Sequence, residues 1–500
     1  MAANGNHDEL LRRLDRARRS GTPLVAINTP DQPATITAIA KWLATQPEET
    51  PAFVWDFVQG MRPGNEAAMK DGGQLGMTQE NPIEAMRVAY NLPHRSMLFY
   101  YNAQRFVQDA GVCQGLLNLR DEYKASDRMI ILLGTGIVLP GEIASDVIVL
   151  SEPLPDDERL LHIVSAQVNN AGEQFTKKPT PEMMKRAATA LRGTSAFGAE
   201  QLSAMSLRAD GIDIETLSIQ AKALIEQTPG LTFERGKETF ADIGGLGFIK
   251  EFGTRIFKGP KAPAVVVRVE ELEKSMAGAR GDLSGTSGDA LQVLLSEMED
   301  NNWSGMLAYG VPGAGKSLVA KSLANTHQAK AIRFDINACK GSLVGQSERQ
   351  IRQAMQVIRT IGGDRVFFIG SCNRLDSLPP ELQRRFRAGV WFFDLPDKSE
   401  RETIWKINRK RYNIPADDQH DDEEDLTGAD IRNICEQAYM LQCSLAEARR
   451  YVVPLKQQSK SEIEASRTLA TGRFTDASRG GVYDRSKQPA ARERRIKVGV

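Results

Sequence analysis

The sequence predicts an α/β protein with two parallel sheets, the second built around a phosphate-binding loop. Three observations predict it. Apolar runs of strand length alternate with amphipathic helical runs across residues 24–150. A similar alternation returns after residue 240. Within it GVPGAGKS, residues 310–317, fills the pattern GxxxxGK[ST] between a strand-like GMLAY and a helical SLVAKSLANTH.

In the first region TPLVAINTP, PAFVWDFVQG, RSMLFYYNAQRF and DRMIILLGTG read as strands, with ATITAIAKWLA, NPIEAMRVAYNL and VCQGLLNLRDEY as the helices between them. The loop after LVAINTP reads DQPAT and lacks any phosphate-loop pattern. A nucleotide-binding fold here has lost its cradle, so the domain is expected to be degenerate and non-catalytic. Residues 60–81, rich in Gly, Met and polar side chains, read as a mobile excursion. PEMMKRAATAL, GAEQLSAMSL and DIETLSIQAKALIEQ give a helical subdomain, and TPGLTFERGKETF a linker. The expected division is a degenerate α/β domain over 1–155, a helical subdomain over 156–230, an α/β core over 240–396, a helical lid over 397–475 and a basic disordered tail over 476–500.

Composition narrows the function classes. The 500 residues carry 64 basic and 64 acidic side chains, so no global charge favours nucleic acid or a membrane surface. Five cysteines show no CxxC pair, which fits a reduced compartment. The most apolar stretch, MIILLGTGIVLPG, is broken by Gly and Pro and falls short of the roughly 20 residues a membrane helix needs. The N-terminus is a charged helix without an apolar signal core. A soluble, cytoplasmic protein without a membrane partner is expected.

The phosphate loop carries the chemistry. Its glycines let backbone N–H groups face phosphate oxygens, and the following helix adds its positive end. Gly310, Pro312, Gly313, Ala314, Gly315, Lys316, Ser317 and Leu318 form the expected nucleotide cradle, with Lys316 at the terminal phosphates and Ser317 on Mg²⁺. Phosphoryl transfer also needs a metal carboxylate and a group that holds water. Downstream of the loop, AKAIRFDINA ends in a lone Asp335 and DRVFFIGSCN ends in Asn373. No acidic pair closes either strand. One does close APAVVVRVEELEKSMAG, residues 262–278, upstream of the loop.

GVPGAGKS, KGSLVGQSERQIRQ, IGSCNRLDSLPPELQRRF, FFDLPDKSERETIW and LTGADIRNICEQA, in that order, resemble the AAA clade of the AAA+ ATPases. The likeness is nearest to those encoded as open reading frames in chloroplast genomes and in many bacteria. It covers residues 240–475 well and the first 230 loosely. It implies ATP and Mg²⁺ as cofactors, ATP hydrolysis, a P-loop core with a five-stranded parallel sheet, and a helical lid. In that family a Walker B strand stands between the helix after the pore loop and the sensor strand, where this chain has only GGD. The missing block resembles residues 263–300, moved ahead of the phosphate-loop strand. The transposition keeps every crossover right-handed and still brings the strand's C-terminal end to the loop.

Under this resemblance Glu270 takes the metal position and Glu271 activates water, with Asn373 polarising it. Arg384, Arg385 and Arg387 lie where such proteins keep a trans-acting arginine finger, Arg385 first among them, which implies a homo-oligomeric ring, usually a hexamer. Ile243 and Gly244 cover one side of the adenine, and Gly428 and Ala429 the other. Leu343, Val344 and Gly345 stand at the pore loop, without its aromatic residue. The implied activity is chaperone-like remodelling of an unknown protein partner. A nucleic-acid-associated motor and a nucleotide-gated assembly protein with little turnover are the alternatives.

Overall fold

The computed structural model describes residues 5–71, 80–273, 286–339, 346–375, 380–415, 417–418, 426–455 and 459–487. The chain forms two units, Met1–Ile225 and Glu226–Val500. The pore-loop residues Leu343, Val344 and Gly345 lie outside the described residues.

The first unit holds a six-stranded sheet of β1 (Leu24–Asn28), β2 (Ala52–Asp56), β3 (Gly60–Pro63), β4 (Met97–Tyr100), β5 (Met129–Gly134) and β6 (Ile148–Ser151), in the order β3-β2-β4-β5-β1-β6. All pairings are parallel except that of β2 with β3. Because both faces are covered, the central strands read as continuous apolar runs rather than alternating ones. One face packs Leu10, Leu14, Ile36, Ile39 and Leu43 against the sheet; the other packs Met86, Leu116, Leu119 and Tyr123.

At the C-terminal end of β1, where open α/β sheets bind ligands, side chains bond to one another. Gln32 Nε2 donates to Asn102 Oδ1 at 3.0 Å, and the Asn102 N–H returns to Gln32 Oε1 at 2.9 Å. Thr35 donates to Glu152, and Asn28 Oδ1 accepts from the Ile137 N–H at 2.8 Å. Part of the expected excursion is regular: β3 pairs with β2, and a helix follows over Glu66–Asp71.

Four helices, Asp157–Ala171, Pro181–Ala190, Ala196–Met205 and Ile214–Ile225, enclose their own apolar cluster around Leu160, Leu191 and Leu217. The short hairpin of β7 (Leu207–Arg208) and β8 (Gly211–Ile212) interrupts them, so this part is not wholly helical. It also ends sooner than the sequence suggests. The presumed linker contributes β9 (Leu231–Phe233) to the second unit's sheet.

That sheet adds β10 (Val265–Val269), β11 (Ser304–Gly310), β12 (Lys330–Phe334), β13 (Val366–Cys372), β14 (Val390–Phe393) and β15 (Thr475–Asp476). Its order is β15-β14-β11-β13-β10-β12-β9, parallel throughout save β9 against β12; the five expected strands are thus extended to seven, by β9 at one edge and β15 at the other. The early strand β10 therefore lies between two later ones, with Val265 beside Lys330 on one side and Val366 on the other. Its valines suit a strand covered on both faces.

β11 ends at Gly310, whose φ of 139° and whose approach to Phe393 leave no room for a side chain. A Cβ there would stand 2.1 Å from the Phe393 carbonyl oxygen. The helices Lys398–Arg411 and Gly428–Leu441, which fall within the stretch expected to be the lid, pack around Ile404, Trp405, Ile431 and Ile434. Each starts at a reciprocal capping box, Asp397 with Glu400 and Thr427 with Asp430.

The tail does not begin at 476. Residues 475–483 return to the sheet: Ala477 and Tyr483 are fully buried, and the Ile249 N–H bonds the Ala477 carbonyl at 3.0 Å. Of TDASRGGVY only Ala477 and Tyr483 are buried apolar side chains, too few to mark a strand among polar and basic neighbours.

Candidate nucleotide site

The loop Gly310–Gly315 leaves β11 and enters the helix Lys316–Thr326. Gly313 and Gly315 hold φ of 76° and 94°, a left-handed backbone that glycine adopts without strain. Their backbone therefore curls around the helix N-terminus, whose unpaired N–H groups and dipole favour an anion.

Lys316 is buried, and its Nζ donates to the carbonyls of Gly310 at 2.8 Å and Val311 at 2.9 Å. Burial pushes its ammonium down to about 8, partly countered by nearby Cys372 and Glu273. Ser317 Oγ donates to Glu270 Oε1 at 2.7 Å.

β10 delivers Glu270 to this point. Arg268, on the same strand, is 5% exposed and is held by Glu234 and Glu270 together. The cost expected of a charge near the end of a buried strand is thus met by two carboxylates. Glu271 follows with an exposed side chain and a φ of 51°. Asn373, at the end of β13, turns to another acid: both its backbone N–H and its Nδ2 reach Glu273 Oε1 at 3.1 Å. Glu273 is not among the residues expected from sequence; its signal is the third acid of VEELE, two positions beyond the end of the adjacent pair.

Lys316, Ser317, Glu270, Glu271 and Asn373 open on a cleft of about 610 Å³, which also takes in Ile243, Gly244, Gly428 and Ala429. Gly244 lies against the lid helix, so that a Cβ would stand 2.7 Å from the Ile404 nitrogen. The Ala429 N–H reaches the Gly313 carbonyl at 3.3 Å, placing the lid directly on the phosphate loop. Lys321, Arg411 and Arg432 line the same cleft and were not singled out from sequence. Arg384, Arg385 and Arg387 do not line it. Arg384 is exposed, Arg385 pairs with Glu299, and Arg387 donates to Asn302 at 2.5 Å.

The donor set fits a metal-nucleotide. Glycine-lined N–H groups and a buried lysine suit phosphates, and two adjoining oxygens, of Ser317 and Glu270, suit a hard cation. Among the described residues no cluster of three or more His, Cys, Asp or Glu side chains could hold a metal.

Residues 306–363 match the ATPase family associated with various cellular activities (AAA). The chain carries an AAA domain. Ahead of the AAA domain, residues 10–151 match the N-terminal domain of SpoVK-like AAA ATPases. The uncharacterized AAA domain-containing protein ycf46 of Guillardia theta is 22% identical over 88% of this chain and 91% of its own length. Its counterpart in Trieres chinensis is 23% identical over 91% of this chain and 96% of its own. The ATPase family AAA domain-containing protein 2 of Mus musculus is 30% identical over 35% of this chain and 21% of its own length. The AAA domain implies nucleotide binding and ATP-driven activity at the level of the family. No helix among the described residues is long and apolar enough to cross a membrane.

Proposed function

We propose that the chain is an ATP- and Mg²⁺-dependent AAA+ ATPase whose Walker B strand is β10, transposed ahead of the phosphate loop. The observation that carries this reading is the 2.7 Å contact of Ser317 with Glu270, at the mouth of the loop. Two further facts support it. β10 lies in the sheet between β13 and β12, and the family match ends at residue 363, where a Walker B strand would otherwise follow.

In this reading Ser317 and Glu270 would hold Mg²⁺, which would supply positive charge against the phosphates. Lys316 exchanges its bonds to the loop carbonyls for the phosphates. Glu271 takes a proton from water, and Asn373 orients that water once released from Glu273. Ile243, Gly244, Gly428 and Ala429 enclose the base, while the degenerate first domain takes no part in the chemistry.

The exposed Arg384, outside the chain's own cleft, is available to a neighbouring copy, in keeping with a ring that remodels a protein partner. The partnering of Arg385 by Glu299 lowers its standing as the finger. The cover of Glu270 by Arg268 favours the low-turnover, nucleotide-gated assembly protein as second reading.

Steady-state ATP turnover of the full chain, beside Lys316→Ala and Glu271→Gln, tests the proposal. Turnover at least about a hundredfold above both variants is expected. Wild-type activity indistinguishable from Glu271→Gln, with nucleotide still bound, would favour the assembly reading and end the enzyme one.

A further inference from the structure

Arg268 interrupts a strand otherwise made of valine, and its side chain is only 6% exposed. Its two terminal nitrogens reach different acids, one Glu234 and the other Glu270. Glu234, just beyond β9, already supplies the counter-charge a buried guanidinium requires, and it is itself approached by Lys321 Nζ at 3.7 Å. The second contact adds a second carboxylate to that counter-charge, while the buried Nε of Arg268 meets no acceptor. That contact falls on Glu270 Oε1, the same oxygen that accepts the Ser317 hydroxyl at 2.7 Å. Any cation drawn to this carboxylate meets an oxygen that a guanidinium already covers.

We infer that Arg268 is a positioning residue and an internal counter-ion for Glu270: it holds Oε1 at Ser317 and offsets the carboxylate's charge, so that nucleotide binding depends weakly on divalent metal. The inference rests on the reading of the loop as a nucleotide site. Glu234 acts in the opposite sense to Arg268. Its own negative charge offsets part of the positive potential that Arg268 places at Glu270, since Coulomb contributions from the two groups add.

The test is equilibrium binding of a fluorescent ADP analogue to the full chain, in EDTA and across a Mg²⁺ titration. Wild type is expected to bind in EDTA within about tenfold of its Mg²⁺-saturated affinity. Arg268→Met bares Glu270 and should lower the half-saturating Mg²⁺ concentration by about tenfold or more. Glu234→Gln leaves the guanidinium to Glu270 alone and should raise that concentration by about threefold or more. A purely structural pair gives another pattern, because losing either partner weakens the fold in the same sense, which thermal melts of both variants record.

Shifts in the same direction, or no shift in either variant, overturn the inference. Should Arg268→Met fail to fold, Glu234→Gln must still raise the Mg²⁺ midpoint, and an unchanged midpoint overturns the inference alone. If wild type, properly folded, binds the analogue at no Mg²⁺ concentration, the nucleotide reading of the loop falls, and this inference with it.

Discussion

Ser317 Oγ and Glu270 Oε1 stand 2.7 Å apart although 47 positions separate them in the chain, the acid preceding the hydroxyl. The contact exists because β10 reaches the loop from across β13, which lies between β10 and β11. If both groups serve one metal, removing either removes most of the benefit of the other. Ser317→Ala and Glu270→Gln should each lower ATP turnover by about a hundredfold, and the double variant should be little worse than either. A double-mutant cycle on the turnover rate checks this; fully multiplicative losses would mean that the two side chains act independently.

Burial of Lys316 makes nucleotide affinity depend on pH. Its ammonium titrates at about 8 without ligand, whereas phosphate charge raises that value. Above pH 8 binding must therefore take up a proton, and affinity falls as pH rises. Between pH 7 and pH 9 the loss should be about tenfold, and Lys316→Met should bind more weakly with that slope removed. The unliganded fold behaves in the opposite sense. An unfolded lysine titrates near 10.4, so the unfolded chain binds more protons between about pH 8 and 10. The contribution of Lys316 to stability rises over that window. Fluorescence anisotropy and thermal denaturation across the range measure the two effects.

Asn373 is held by Glu273, and this contact separates two roles for neighbouring acids. Glu271→Gln removes the proposed base and should stop turnover, by about a hundredfold or more, while ADP affinity stays within a factor of about two. Glu273→Gln keeps the shape but weakens the hold on Asn373. It should change turnover by about tenfold, with ADP affinity likewise retained. Equal losses in the two variants would show that Glu273 does more than position the asparagine.

The phosphate loop was legible because its glycines, lysine and serine are consecutive, and a contiguous motif needs no knowledge of packing. β10 was also legible as a strand, since valines ending in acids suit a buried parallel strand abutting a polar site. Glu273 and Glu234 were harder to read because their meaning depends on side chains that reach them from about 100 and 34 positions away. The short strands β3, β6, β9 and β15 escaped notice for a related reason. Each spans two to four residues, too few for periodicity to register, and each is held by a neighbouring strand rather than by its own propensity.

The return of the chain to the sheet after residue 474 gives the last prediction. Tyr483 is fully buried, its ring 4.5 Å from that of Phe392, and its hydroxyl donates to Asp394 Oδ2 at 2.6 Å. Asp394 also accepts from Arg467 Nε at 2.8 Å, so the carboxylate ties three stretches of chain together. Tyr483→Phe keeps the ring and leaves a buried oxygen short of one donor, which should cost about 1–2 kcal/mol. Tyr483→Ala also opens a cavity against β14 and should cost about 3–5 kcal/mol. The same segment fixes the helix Gly247–Lys258, through the Phe248 N–H to the Ser478 carbonyl at 3.1 Å, and that helix follows Ile243 and Gly244 at the cleft. Tyr483→Ala should therefore weaken ADP binding as well as stability, whereas Tyr483→Phe should leave binding within about twofold. Denaturant unfolding and ADP titration of both variants decide it; a large stability loss with unchanged binding would show that this anchor does not reach the site.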